Sequence, residues 1–219
     1  MKGRSGIVFS IAQDNRSVPG CTVSETVWEG AGCILTHFAL AEGTSISAEA
    51  YEYPRFFLVA TGELEVFTNR GDTWIVREGE GIASPMGIPV GVRTVRGCVY
   101  SEIGCTKETD MHNKLQAGSV FALKDLLPYQ DGKIVNMDLI GNDALKFVIM
   151  SFDAGTGLSE HAAPGDALIF ALEGKAVIGY EGKEYRIAAG ENFKFAKMGK
   201  HWIRADERFK MALLLTLDN

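Results

Sequence analysis

Only four cysteines occur in the 219 residues, Cys21, Cys33, Cys98 and Cys105, and none forms a close CxxC pair. That spacing argues against a zinc ribbon or a dithiol redox motif. No stretch approaches the roughly 20 consecutive apolar residues of a membrane span. The opening "MKGRSGIVFSIAQDN" also lacks the apolar run of a signal peptide. The cytoplasm is therefore the expected compartment, and there the cysteines read as reduced, buried thiols. Basic charge is scarce, with 22 Lys and Arg against 28 Asp and Glu and a formal charge of −6. The chain lacks the basic footprint of a nucleic-acid binder, and its acidity disfavours an anionic membrane surface. Neither partner is expected. Helix signals are few as well.

Glycine and short apolar runs are what the chain does have. Segments such as "RFFLVATGELEVF", "ALIFALEGKAVIGYEGKEYRIAAGENFKFA" and "FKMALLLTL" are bounded by Gly, Asn and Asp. They read as strands joined by tight turns, with Glu181-Gly182 at a hairpin bend. Ala167 to Leu172 is apolar on both alternating faces, so that strand must be covered from both sides. The runs also repeat. "GIVFSI" at 6–11 returns as "GSVFAL" at 118–123, an offset of 112 residues. The same offset carries Gly43 to Gly155 and Gly62 to Gly174, and one residue of slippage later Gly79 faces Gly190. Glycines matched at matched intervals predict the same turns made twice. The expected architecture is all-β, with two tandem jelly-roll barrels. We place the first at 1–105, a polar linker or short helix at 106–117, and the second at 118–219.

Two stretches of the second half carry a resemblance. The first runs from Gly155 through His161 and "AAPGDALIFALE" to Gly174. The second runs from Gly190 through "ENFKFAKMGK" to His201. Together they resemble the two motifs of the cupin superfamily, and the duplicated chain looks like a bicupin. The resemblance implies two RmlC-like, double-stranded β-helix barrels. It implies a pocket in each barrel but not a reaction, because one fold hosts many functions.

A typical metal-binding cupin offers three histidines and one glutamate, a set suited to Mn, Fe, Ni or Zn. In this chain His161 and His201 keep the first and last positions, while Ala163 and Ala167 occupy the other two. Asp166 is one residue away from the lost glutamate, on the parity of the opposite strand face. It becomes a third ligand only if the strand starts irregularly after Pro164-Gly165. Three readings stay open for the second half: a held divalent metal, a vacant or weakly metallated pocket whose histidines bind a small molecule, or two structural histidines.

In the first half the corresponding positions are Glu49, Tyr51, Arg55 and Val90, and no metal is expected there. Glu49, Tyr51 and Arg55 share a parity and face one way on a regular strand. A charge inside a barrel must be paired. Either Arg55 pairs with Glu49, helped by the Tyr51 hydroxyl, or Arg55 and Tyr51 bind an anionic small molecule. His37 could join from the preceding strand, although a satisfied core histidine is the simpler reading. The function expected overall is small-molecule binding at the second-half histidines. An enzymatic role and a non-catalytic sensing role both remain open, and so does a homodimer.

Overall fold

The computed structural model describes residues 1–30 and 32–217. It is built from three antiparallel sheets of seven, nine and four strands. The nine-stranded sheet holds strands of the first half, among them Thr22–Glu29, Cys33–Leu40, Arg55–Thr68, Glu80–Ala83 and Cys98–Cys105. The seven-stranded sheet holds Ile134–Asn142, Leu145–Phe152, Ala167–Glu173, Asn192–Phe195 and Phe209–Thr216. The four-stranded sheet joins Gly157–Ala162, Lys200–Arg204, Lys175–Tyr180 and Lys183–Ala188. The curled all-β arrangement agrees with the expected fold class.

The two segments that announced the repeat, "VF" at 8–9 and "VFA" at 120–122, are exchanged between halves. Val8 and Phe9 pair with Phe193 and Asn192 of the second half. Val120, Phe121 and Ala122 pair with Ile82, Gly81 and Glu80 of the first. Each half thus completes a sheet edge of the other, which hides backbone donors that would otherwise be exposed. The polar stretch after residue 105 forms no helix. Asp110 and Met111 pair instead with Gly141 and Ile140.

The doubly apolar strand behaves as its pattern demands. Ala167, Ile169 and Ala171 point into a core made only of second-half residues and Val8. Leu168, with Phe170 and Leu172 against it, points into a separate core shared with Leu35, Phe56, Leu58 and Ile103 of the first half. Trp28 lies in this shared core as well. A third core, with Leu40, Phe57, Leu64 and Val92, fills the first half.

The repeated turns are present. Gly62 and Gly174 both hold positive φ, +84° and +72°. A Cβ at Gly62 would lie 2.3 Å from the Gly97 carbonyl oxygen, and one at Gly174 would lie 1.9 Å from that of Arg208. Neither backbone oxygen can move aside, so only glycine fits at either position. The hairpin bend holds as well: Tyr180 pairs with Lys183 across Glu181 and Gly182, both at positive φ. Three of the four cysteines are buried, but Cys21 is exposed, and none is in a disulfide.

Gly174→Ala should cost at least about 2 kcal/mol, since it adds a carbonyl collision to left-handed strain. Gly182→Ala, at φ +76° with nothing within 4 Å, should cost only about 1 kcal/mol. Urea unfolding of the two variants checks the difference, and equal midpoints would contradict the close-approach account.

Candidate functional site

His161 lies on Gly157–Ala162 and His201 on Lys200–Arg204, and the two are direct partners in antiparallel register. A register shift between Leu158 and His161 brings this about. Residues directly opposite each other send their side chains to the same face. The ring centroids are 4.3 Å apart and tilted by 56°. His201 also stacks on Phe195, at 4.0 Å and 18°. Its neighbour on the same face, Ile203, sits in the second-half core, so His201 stands at the edge of that core. His201 is buried and His161 is exposed, so one ring forms a floor and the other meets solvent.

Both imidazoles are oriented in the same way. His161 Nδ1 lies 2.8 Å from the Ser159 carbonyl oxygen, and His201 Nδ1 lies 2.8 Å from that of Gly199. A carbonyl can only accept, so each Nδ1 carries the proton and each neutral ring keeps a lone pair on Nε2. Burial lowers the pKa of His201, the Gly199 carbonyl opposes that shift, and the nearby His161 adds to it. His201 is therefore neutral at neutral pH.

The residues do not fit the metal set of a typical cupin. Ala163 and Ala167 have no donor atom. Asp166, the expected third ligand, is engaged elsewhere. Its carboxylate accepts a 2.8 Å bond from the Met1 ammonium, a 2.9 Å bond from the Lys197 backbone N–H, and lies 3.5 Å from Lys194 Nζ. Strand alternation explains this: Phe193 and Phe195 point into the second-half core, so Lys194 between them points outward, and Asp166 joins it there. Among the described residues, no group of three or more His, Cys, Asp or Glu side chains is placed to hold a metal ion.

In the first half, Arg55 does not pair with Glu49. Its Nη1 donates to Glu102, and the two form an ion pair. The reason is local. Glu102 is on the neighbouring strand, and opposite Arg55 itself stands Gly104. A Cβ at Gly104 would come within 2.6 Å of Nη1, so glycine leaves the guanidinium room to lie there. Burial raises the pKa of Glu102, Arg55 opposes that shift, and Glu49 adds to it. The Tyr51 ring covers the guanidinium at 3.7 Å, a cation–π contact. Its hydroxyl donates to Glu49 at 3.1 Å. Burial also pushes the Tyr51 pKa up to about 12.

His37 is not part of this group. It pairs with Ser101 while its neighbour Thr36 pairs with Glu102, so His37 and Glu102 lie on opposite faces of the sheet. The buried His37 ring contacts Ser101 Oγ at 2.9 Å, and Ser101 lines a cleft of ≈ 520 Å³ between the halves. Glu102 itself was missed in the sequence. Its signal is a lone carboxylate in "CVYSEIGC", a strand whose eight residues are all buried.

No protein-family model matches the chain, and no curated protein does either. Solved structures do. A cupin 2 conserved barrel domain protein from Leptotrichia buccalis is 26% identical, with a TM-score of 0.87 over 98% of each chain. Salicylate 1,2-dioxygenase from Pseudoaminobacter salicylatoxidans matches at 14% identity and a TM-score of 0.61, over 84% of this chain and 68% of that one. Oxalate decarboxylase from Bacillus subtilis, a protein with Mn(II) centres, matches at 13% and 0.54, over all of this chain and 79% of that one. The fold is therefore the cupin fold. No helix among the described residues is long and apolar enough to cross a membrane.

Burial lowers the pKa of His37 to about 4, against about 6.5 when unfolded. Between those values the unfolded chain binds the extra proton, so stability falls as the pH drops from about 6.5 towards 4, by on the order of 3 kcal/mol. Urea unfolding at pH 7 and pH 4.5 should show a smaller acid loss for His37→Gln than for the parent. Identical losses would contradict a buried neutral His37.

Proposed function

We propose that each half closes as its own barrel and that the second binds a small polar molecule at His161 and His201. The observation that carries this reading is the cross-strand pair of imidazoles, each held by a carbonyl two residues upstream. Fixing Nδ1–H in that way leaves two basic nitrogens on adjacent rings. A ligand hydroxyl or carboxylic acid can donate to them. His161, exposed, meets the incoming molecule, and His201, buried against Phe195, holds it.

Alanine at 163 and 167 favours binding over metal-centred chemistry. Two imidazoles without a third protein ligand hold a divalent ion weakly, since catalytic sites usually have three. If a reaction occurs, the paired rings could move a proton near neutral pH, because a proton taken by one ring disfavours a second on its neighbour. A purely sensing role uses the same contacts without that transfer.

Titration of the protein with glycolate and with glycerol, read at the histidine side-chain resonances, tests the proposal. At least one probe should shift His161 and His201 together while leaving His37 unmoved. His201→Ala should weaken that binding by roughly tenfold or more, the scale of one or two lost hydrogen bonds. Movement of neither ring would overturn the reading. Stoichiometric Mn or Zn retained through dialysis against EDTA would replace it with a metal site.

A further inference from the structure

Among the described residues of the first half, two buried polar atoms have no hydrogen-bond partner, Arg55 Nε and the Tyr100 hydroxyl. Such orphans are uncommon, and each calls for an explanation such as a water, an ion or a ligand. They lie in one region. Tyr100 and Glu102 share a face of the Cys98–Cys105 strand, and the Tyr100 hydroxyl feels the charges of Glu102, Arg55 and Tyr51. Tyr100 is wholly buried, stacked on Phe38 at 4.9 Å, and set edge-on to Phe57. Packing therefore fixes where its hydroxyl points.

The pairing with Glu102 uses only the Nη1 end of Arg55. The side of the guanidinium that bears Nε is the one that usually grips a carboxylate as a fork. The Arg55 side chain keeps 23% of its surface open, so it is reachable, with Tyr51 as its cover. Tyr51 is itself tied to the exposed Glu49, so uncovering Arg55 breaks one surface hydrogen bond and the cation–π contact.

We propose that the first half holds an oxyanion subsite, in which Arg55 and the Tyr100 hydroxyl together receive the carboxylate of a small organic acid. The subsite is separate from the histidine pair and does not depend on it. Binding is coupled to a proton. The charged or titratable groups facing Glu102 are Arg55, Tyr100, Tyr51 and Glu49, and the adjacent Cys33–Leu40 strand presents only the uncharged Thr36. An arriving carboxylate competes for Arg55 and favours the protonated form of Glu102, so affinity rises as the pH falls.

Isothermal titration with malonate at pH 7.5 and pH 6.0 tests this. The protein should bind saturably, more tightly at pH 6.0 and with proton uptake. The His161→Ala/His201→Ala double variant should bind equally well, which separates this site from the one proposed above. Tyr100→Phe keeps the packed ring and should weaken binding roughly tenfold, the scale of one hydrogen bond to a charge. The paired Arg55→Met/Glu102→Gln variant, which leaves no lone buried charge, should abolish it. No saturable binding by the parent at either pH would overturn the proposal. So would unchanged affinity in Tyr100→Phe together with a gain in stability, the mark of an orphan hydroxyl that serves no ligand.

Discussion

The Arg55–Glu102 pair in the first half depends on a strand whose two faces are both buried, one towards its own half and the other towards the second half, and the Ala167–Glu173 strand is built the same way. Ala167, Ile169 and Ala171 fill the second-half interior, while Leu168 packs against the first half. Cys98–Cys105 works in the same way: Tyr100 and Glu102 face inward, while Ser101 and Ile103 face the partner half. A strand in that position has no spare face, so the parity of each residue decides which environment it meets. Glu102 is buried with Arg55, and Ser101, one position away, contacts His37 instead.

The exchanged strands tie the halves together. Val8–Phe9 finishes a sheet otherwise built from residues beyond 109, and Val120–Ala122 finishes one otherwise built from residues before 106. The Ile11–Asp14 helix that follows the first exchange returns to its own half, where Ile11 packs with Ala39 and Val99. Neither half can swing away without opening a sheet edge. Under the proposal, access to Arg55 therefore comes through its Tyr51 cover and not from the junction.

Features governed by short range were legible in the chain. Gly62 and Gly174 reported the same turn twice because only glycine can occupy it. His161 and His201 could be placed together because motif spacing sets both strands. Features governed by strand order were not. The partner of Arg55 depends on which strand lies beside it, and the spacing of Glu49, Tyr51 and Arg55 does not carry that information. Asp166 lost its expected role to Met1 and Lys194, an arrangement that follows from the exchange of the first strand. His37 lies on the inter-half face, a matter of register that periodicity alone leaves open.

The two halves present different groups: paired imidazoles in the second and a covered guanidinium in the first. The account stands most directly on the histidine geometry. Long-range proton–nitrogen spectra of the imidazoles at pH 8 should show both His161 and His201 protonated on Nδ1. A proton on Nε2 of either ring would contradict the carbonyl anchoring, and with it the paired lone pairs on which the proposed binding depends.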